Sequence, residues 1–581
     1  MTLDQPDTVL DQAQKAAETA DVAAYLDARQ HLIHRERSLR LDAPKLASLS
    51  AEEELANEIL LKLRTQQLRS LPQTEGDLAS SAASSGYTTF RDEPFYRSKL
   101  AGAFADGPLP DIFKKMPKGA NLHCHLDGSC DARFLLHLAA TTKDLCIQSN
   151  ISIISQQDLF KATIKFRVFP GAEEQYAIQH PKQGATTPSI FTSSYNPFDW
   201  IPVTVVRHRF PFPYAYLAKH GLDLMSPTTP SSPPLAFDSW LHTLITMTPH
   251  AGGPERRTSS AAWGHFLTTF GVIEGIIGYE PNFKVFCKEI MLQMARDGVR
   301  YFEARVNFLT EFMVRWNGEL TLGHLDWCRI FLEAQAEAKE QLAQEGFAFD
   351  GARVIYSTVR VINNEQLRAS MLDCISLKTK YPDLIVGFDL VGHEDPGIPA
   401  KAYLPVLLWF RQHTLALGLD IPFILHGGET LGDGEAADEN LYDVLLLGSK
   451  RIGHGYSLYK HPILMDLCKK RNVLIECCPI SNEVLGYTAS ISGHPLPALL
   501  ANGVPVAICN DDCSMFGNVG LTPDLFTVFM GIESLCLSSL NVLTRKSIEH
   551  SQMPEAQKKT SLLDFDAQWA EFITWIITHY R

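Results

Sequence analysis

Short apolar runs recur along the chain, and several of them end in a polar residue. Residues 421–425 form such a run before His426, and residues 504–509 form a similar run just ahead of Asp511. His454 stands at the end of a third. Runs of this length are typical of buried parallel strands. Polar residues at the ends of several parallel strands build the active site of a (β/α)8 barrel, so the pattern predicts an α/β fold of that kind.

A fourth candidate strand, residues 119–122, leads into His123 and His125. Alternate residues of a strand point to one face, so both imidazoles can reach one metal ion. Such a pair alone is more often chance or two hydrogen-bonded histidines than a pair of ligands. With His426 and Asp511 the set becomes three imidazoles and one carboxylate, which is a catalytic rather than a closed structural arrangement. Zn²⁺ fits these ligands best, and Fe²⁺, Co²⁺ and Mn²⁺ stay open as alternatives.

Composition and periodicity divide the chain into three regions. We predict an N-terminal helical extension and linker over residues 1–90, a barrel over residues 91–560 and a C-terminal helix over residues 561–581. The barrel carries an insertion after its first strand, at about residues 140–260. Within it, residues 165–195 predict no regular element.

The N-terminal extension reads as helices over residues 8–70. Ser50 and Glu53 form a capping box, and an apolar stripe at every fourth position begins at Leu55. We expect these helices to pack on the outside of the barrel, with an oligomer contact as the alternative.

A helix from Phe283 leads into a strand at residues 299–305, and residues 324–345 predict a long helix. Glu303 and Arg305 lie toward the end of that strand. An ion pair at the barrel rim is the preferred interpretation of these two charges, ahead of a catalytic role.

Length and charge narrow the function. The 581 residues suit one barrel with additions. The hydrophobic content of 45% supports a full core, and no run of about eighteen apolar residues indicates a membrane span. The formal net charge of −14 argues against nucleic acid or an anionic membrane as partner, and it is compatible with a neutral small molecule.

The 12 cysteines form no dense framework. Cys477, Cys478 and Cys509 fall in or beside predicted core strands, which favours reduced thiols and a reducing compartment. The N-terminus lacks the basic and apolar regions of a secretory signal, so we expect a cytoplasmic protein, with secretion as the alternative. The two adjacent cysteines do not match the Pro-Cys-x-x-Cys signature of zinc deaminases that act on bases in nucleic acids.

Several longer motifs, in a fixed order, resemble the metal-dependent adenosine deaminases, in particular the adenosine deaminase-related growth factor branch. They occupy residues 116–123, 387–395, 451–455 and 478–482, and the resemblance spans about residues 95–545. It implies a (β/α)8 barrel with one zinc ion per chain. It also implies hydrolysis of adenosine and 2′-deoxyadenosine to inosine and 2′-deoxyinosine plus ammonia. In this branch the N-terminal helices serve in dimers, which makes a homodimer possible, and members are often secreted.

The resemblance assigns the zinc to the ligands identified above, namely His123, His125, His426 and Asp511. It adds two catalytic groups: Glu429 would protonate purine N1, and His454 would orient and deprotonate the attacking water. Protonation of N1 requires a carboxylic acid whose pKa is raised in a dry pocket. Glu429, three residues past a ligand, suits that role, and a glutamate at a helix N-terminus is its alternative.

Four further residues would bind the nucleoside. The resemblance places Asp127 at the ribose 5′-hydroxyl, Asp512 at N7, the Gly392 backbone at N3 and Trp263 in the pocket wall. A carboxylate at the 5′ end would repel a phosphate, so Asp127 favours a nucleoside over AMP.

The chain departs from the family pattern at Gly427, Asn510, Cys513 and Val359, where Ala, Ser, Pro and, in animal members of the branch, His are usual. Asn510 and Cys513 lie close to the ligand Asp511 and bear on the rate more than on the reaction. Two alternatives stay open. One is an amidohydrolase acting on another aminopurine, such as AMP or adenine. The other is a catalytically impaired signalling or binding protein on the same barrel.

Overall fold

The computed structural model describes residues 6–70, 107–181, 187–213, 233–247, 258–309 and 313–581. The predicted linker that follows the N-terminal helices lies outside these residues. The strands are, in chain order, β1 (Gly119–His125), β2 (Leu145–Ser149), β3 (Ile164–Val168), β4 (Ile201–Pro202), β5 (Val299–Asn307), β6 (Met313–Val314), β7 (Leu320–Leu322), β8 (Gly351–Val359), β9 (Ile385–Val391), β10 (Leu425–Gly427), β11 (Arg451–His454), β12 (Leu474–Cys477) and β13 (Val506–Ile508).

The α-helices of the same residues are α1 (Pro6–Glu18), α2 (Val22–Ser38), α3 (Ala43–Leu46), α4 (Ala51–Ser70), α5 (Pro108–Lys115), α6 (Ala132–Thr141), α7 (Ala172–Gln179), α8 (Val203–His208), α9 (Pro233–Ile245), α10 (Ser259–Ile277), α11 (Glu280–Arg296), α12 (His324–Glu345), α13 (Asn364–Lys380), α14 (Leu404–Ala416), α15 (Ala436–Leu446), α16 (Pro462–Arg471), α17 (Pro479–Val484), α18 (Leu496–Ala501), α19 (Thr522–Gly531), α20 (Leu537–Glu549) and α21 (Glu555–Tyr580). None of these described helices is both long and apolar enough to cross a bilayer.

Eight of the described strands form a closed parallel barrel. Four pair in the order β1-β5-β8-β9 and four in the order β10-β11-β12-β13. Parallel bridges between Phe388 and Phe423 and between Cys124 and Asp511 join the two sheets at both seams. At the second seam the Asp511 backbone N–H donates to the His123 carbonyl at 3.0 Å. The (β/α)8 fold predicted from the apolar runs is confirmed. The candidate site residues lie at or near the carboxyl ends of its strands, except Trp263, which lies on α10.

The N-terminal helices pack against the barrel through α4. The capping box predicted at its start is formed: Ser50 N–H donates to Glu53 at 3.1 Å, and Glu53 N–H donates to the Ser50 hydroxyl at 3.2 Å. Ile59 and Leu60 are buried in the main core. Arg64 donates to the backbone carbonyl of Leu535 at 2.9 Å, which ties α4 to the C-terminal region. The apolar stripe of α4 is therefore covered by the chain itself.

The insertion after the first barrel strand contains a small antiparallel sheet with strand order β3-β2-β4. Residues 165–195 were expected to hold no regular element, and that expectation is wrong, since β3 and α7 lie largely or wholly within them. In β3, buried Ile164, Phe166 and Val168 alternate with more exposed Lys165 and Arg167. That alternation is the period of a half-buried strand.

Glu303 and Arg305 do not form an ion pair with each other at the rim. Both side chains are fully buried inside the barrel. Glu303 pairs with Arg451, and Arg305 donates to Asp389 and Glu476 at 2.6 Å each. The rim interpretation is wrong because the partners lie on other barrel strands, 84 to 171 positions away in the chain for Arg305.

Candidate active site

The ends of β11 and β13 hold their polar residues in an unusual backbone conformation. His454 has a φ of 59° and Asp511 a φ of 54°. A positive φ is uncommon for residues other than glycine and persists where the surrounding structure imposes it. At both positions the turn aims a functional side chain toward the centre of the barrel mouth, where the two side chains approach to 3.8 Å.

Three imidazoles and one carboxylate converge at this mouth. One ring nitrogen from each of His123, His125 and His426 lies within 4.8 Å of the others. Nε2 of His123 and Nε2 of His125 each lie 3.3 Å from Oδ1 of Asp511. Among the described residues, His123 Nε2 and Asp511 Oδ1 are buried without a hydrogen-bond partner. Buried polar atoms are rarely left so, and a cation between them would satisfy both.

Hydrogen bonds behind the imidazoles orient two of them. His123 Nδ1 lies 2.9 Å from Glu476, and His426 Nδ1 lies 2.8 Å from Asp389. Arg305 donates to both carboxylates. The carboxylates place the ring proton on Nδ1 and leave Nε2 to face the metal position, as is usual for metal-binding histidines.

The protonation states of this cluster suit a metal. Burial lowers the pKa of His426 to about 3, so its ring is neutral. Burial alone would raise the pKa of Asp511, but the neighbouring imidazoles of His123 and His125 outweigh it and hold that pKa well below its usual range. Cys478 also lies near the set, but burial raises the pKa of its thiol well above the usual range. His426 thus offers a neutral imidazole and Asp511 a charged carboxylate, whereas the Cys478 thiol keeps its proton.

Glu429 is a buried carboxyl that carries a proton. Burial raises its pKa well above the usual range, and the charges of Asp511 and Glu394 raise it further. Its Oε1 is buried with no hydrogen-bond partner among the described residues and lies 3.5 Å from His454 Nδ1. Glu394 accepts from the Glu429 backbone N–H at 3.0 Å and so fixes the loop. The arrangement places a protonated carboxyl beside the candidate metal ligands, as general acid catalysis would require.

Asp512 is a second buried acid. Burial raises its pKa well above the usual range, followed by the charges of Asp511 and Asp127. Gly128 packs directly on this carboxyl: a Cβ there would fall 2.0 Å from Asp512 Oδ1. Only glycine leaves room for the acid at this position. Burial also raises the pKa of Asp127.

A cavity of about 710 Å³ opens onto the site, which is within the usual size of a small-molecule pocket. Its lining brings together nearly all the residues singled out from the sequence: His125, Asp127, Trp263, Gly392, His426, Glu429, His454, Asp511 and Asp512. His123 is fully buried beside them against Asp511. Trp263 stacks on His393 with ring centroids 4.7 Å apart, and its indole N–H donates to Tyr487 at 2.9 Å.

Comparison with known proteins agrees with this geometry. A family model described as "Adenosine deaminase" matches residues 247–567, more than half of the chain. The chain belongs to the adenosine deaminase family. It is 28% identical to human "Adenosine deaminase 2" over 558 residues, which cover 95% of this chain and 94% of that protein. The near full-length match places it in the growth factor branch that its motifs resemble.

Two more similarities were found for this member of the adenosine deaminase family. It is 36% identical to "Adenosine deaminase" of Lutzomyia longipalpis over 320 residues, covering 55% of this chain and 60% of that one. A solved structure of the N6-methyl-AMP deaminase from Arabidopsis thaliana aligns with a TM-score of 0.48 at 16% identity, covering 79% of this chain and 99% of that one.

The structure shows the contacts of the residues that depart from the adenosine deaminase pattern. Asn510 accepts from Asn121 at 2.7 Å and donates to the Gly520 carbonyl at 2.8 Å, so both ends of its amide are bonded next to the candidate ligand Asp511. Val359 lines the cavity. A Cβ at Gly427 would lie 3.0 Å from Val444, so an alanine there needs a small shift of that side chain.

Sequence reasoning missed the residues that orient the site in this adenosine deaminase family member. Asp389 and Glu394 lie within the motif at residues 387–395, but the sequence assigns them no role, and it assigns none to Glu476. The available signal was a charged residue inside or directly after an otherwise apolar strand, which requires a buried partner.

Proposed function

We propose that this protein hydrolyses adenosine and 2′-deoxyadenosine to inosine and 2′-deoxyinosine, with release of ammonia. The position of Glu429 carries the proposal: a buried, proton-bearing carboxyl opens onto the same cavity as His125, His426 and Asp511. Adenine C6 is a weak electrophile, so attack on it requires a strong nucleophile on one side and a proton at N1 on the other. The site supports both requirements.

We assign the metal to His123, His125, His426 and Asp511, and zinc suits these nitrogen and oxygen donors best. When bound, the ion supplies hydroxide by lowering the pKa of a water to about 7. Glu429 then gives its proton to N1. His454, whose Nε2 lies 3.8 Å from Asp511, orients the attacking water.

The remaining cavity residues suit a purine nucleoside. N7 is only an acceptor, so the proton kept on Asp512 by its raised pKa allows a hydrogen bond to it. Gly392 has a φ of 102°, and a Cβ there would meet no atom within 4 Å, which leaves its backbone open to N3 of a bound base. Trp263 forms part of the wall, and Asp127 on the same cavity would accept a hydrogen bond from the ribose 5′-hydroxyl.

One observation favours a second candidate substrate, AMP. Lys165 and Arg167, both from the inserted subdomain, line the same cavity as Asp127. Cations at its edge are the groups that a phosphate needs. We rank adenosine first because the acidic Asp127 lines the cavity beside the catalytic groups.

The test is a panel of adenosine, 2′-deoxyadenosine, AMP and adenine at equal concentration, assayed for ammonia release by purified, zinc-loaded protein. We expect the two nucleosides to react fastest, activity to disappear on chelation and zinc to restore it. A preference for AMP would move the assignment to the second candidate. No turnover of any of the four, with zinc bound, would favour an impaired enzyme.

We also propose a homodimer through α1 and α2. Val22 and Leu26 of α2 are 69% and 55% exposed, whereas the apolar stripe of α4 is covered by the chain itself. Light scattering of the wild type should give a molar mass twice that of the chain. The double variant Val22→Glu with Leu26→Glu should give the mass of a single chain. The matched control is Leu372→Glu, which is exposed on α13. A wild-type monomer would contradict the proposal.

We place the protein in a reducing compartment, the cytoplasm. All 12 cysteines are free thiols and 11 of them are buried. Fractionation of cells that make the full chain should recover it in the cytosol. Recovery from the medium would support secretion instead.

A further inference from the structure

A chain of hydrogen bonds lies behind His454, on the side away from Asp511. The Leu496 backbone N–H donates to Nδ1 of His494 at 3.0 Å. His494 Nε2 lies 3.0 Å from Oδ1 of Asn482, and Asn482 Nδ2 lies 3.2 Å from Nδ1 of His454. All three side chains are buried, so water does not compete for these bonds.

The direction of every bond in this chain follows from its first member. A backbone N–H can only donate, so His494 Nδ1 accepts. Burial lowers the pKa of His494 to about 3, which leaves the ring with a single proton, on Nε2. That proton goes to Asn482 Oδ1, and the amide must turn its N–H groups toward His454. Nδ1 of His454 therefore accepts as well, and a neutral His454 carries its proton on Nε2.

We propose that His494 and Asn482 are positioning residues that hold His454 in the Nε2–H tautomer, so that its reactive face is a hydrogen-bond donor. The inference rests on the proposed deaminase function. Nε2 is the ring nitrogen that faces Asp511, at 3.8 Å. A donor there binds the attacking oxygen by one of its lone pairs, fixes its direction and stabilises the negative charge that grows on it. This differs from a base that withdraws the water's proton at Nε2.

The opposite tautomer is disfavoured by the same contacts. A proton on His454 Nδ1 would face the N–H groups of Asn482 at 3.2 Å. The other neighbour of Nδ1 is Glu429 Oε1, at 3.5 Å, beyond a normal hydrogen bond. Rotating the amide of Asn482 would turn its N–H groups onto the Nε2–H of His494, so the amide is held from both sides.

Asn482→Asp tests this directly, because it keeps an acceptor for His494 and replaces the donor to His454 by an acceptor. We expect nitrogen-15 spectra of histidine-labelled protein to show His454 as Nε2–H in the wild type, with and without zinc. In the variant the proton should move to Nδ1. The His454 signal is identified by its loss in His454→Asn.

Kinetics supply the second readout. We expect kcat of Asn482→Asp for adenosine to fall about 10- to 100-fold, the usual range for residues that orient a catalytic group, with KM and zinc content little changed. Asn502→Asp, at an exposed asparagine, carries the same charge change and should leave both unaltered. A wild-type Nδ1–H tautomer, or full kcat in Asn482→Asp, would overturn the proposal.

If Asn482→Asp does not fold, two variants of His494 provide the test instead. His494→Gln can still donate to Asn482, whereas His494→Leu cannot. The Gln variant should keep the Nε2–H tautomer and most of kcat, and the Leu variant should lose both. Equal loss in the two would contradict the proposal. If the wild type fails to turn over adenosine, the proposed deaminase function is wrong. The tautomer of His454 in the nitrogen-15 spectra still tests the hydrogen-bond chain, because that measurement does not depend on turnover.

Discussion

Glu476 accepts a hydrogen bond from Nδ1 of His123 at 2.9 Å. The same carboxylate also accepts from Arg305 at 2.6 Å and from Arg451 at 2.5 Å. Burial alone would raise the pKa of Glu476, but these two guanidinium groups outweigh it and hold that pKa well below its usual range. A permanent charge inside the barrel therefore fixes the ring proton of His123 on Nδ1 and leaves Nε2 for the proposed metal.

Glu476→Gln should weaken zinc binding about 10- to 100-fold, because a neutral amide polarises the His123 ring less. It should also lower stability, since Arg305 and Arg451 lose a buried counter-charge, a change that costs about 3–5 kcal/mol. Competition with a chelator measures the first effect and thermal denaturation the second. Glu340→Gln, at an exposed position of α12, is the control. Unchanged zinc affinity in Glu476→Gln would show that the contact does not tune the metal.

Glu429→Gln should reduce kcat for adenosine about 10²- to 10⁴-fold, because the amide fills the same space but cannot give a proton to N1. Zinc content should stay the same, as Glu429 is outside the ligand set. Glu435→Gln, exposed six residues further on, should behave as the wild type. Steady-state kinetics with metal analysis check both. Intact activity in Glu429→Gln would remove the general acid from the proposal.

The pH dependence follows from the same carboxyl. Burial, Asp511 and Glu394 raise the pKa of Glu429, so its reactive form is the protonated one and predominates at low and neutral pH. As the pH rises through that pKa the acid is lost, and kcat/KM for adenosine should fall on the alkaline side. The residual activity of Glu429→Gln should lack this decline. An identical alkaline decline in the variant would assign it to another group.

The parts of the site that could be predicted from sequence are those with local signals. His426 and Asp511 each follow a short apolar run. A window of about ten residues is therefore enough to predict the strand and the position of the polar residue at its end. The fold follows, because parallel strands with polar carboxyl ends suit few architectures.

The orienting network could not be predicted, since its partners meet only when the barrel closes. Arg305 and Glu476 are 171 positions apart, and each is one charged residue in an apolar strand. The direction of the His494 and Asn482 bonds likewise depends on a backbone N–H whose position only the folded chain defines. Local sequence patterns predict the strands, but they do not predict which charged residues the fold brings into contact.

Asp127→Asn should lower kcat/KM for adenosine and narrow the preference for adenosine over AMP. The amide removes the negative charge that opposes a 5′-phosphate, and Lys165 and Arg167 on the same cavity are left to attract it. Parallel assays with both substrates measure the ratio. Lys165→Ala with Arg167→Ala is the matched test of the cations and should lower AMP turnover only. If Asp127→Asn left the ratio of adenosine to AMP turnover unchanged, the 5′ end of the bound nucleoside would not lie near Asp127.

Ser50→Ala should loosen α4 by about 1 kcal/mol, because the Glu53 N–H loses the hydroxyl that caps it. The effect should reach the barrel, since Leu60 of this helix is buried in the main core. Hydrogen exchange of the α4 amides measures it, and a loss of about 1 kcal/mol raises exchange roughly fivefold.

Ser48→Ala is the control, because its hydroxyl bonds to the preceding α3 segment instead. None of the described N-terminal residues lines the cavity, so adenosine turnover should be the same in both variants. Equal protection of α4 in Ser50→Ala and the wild type would mean that packing against the C-terminal region, not the cap, holds the start of this helix.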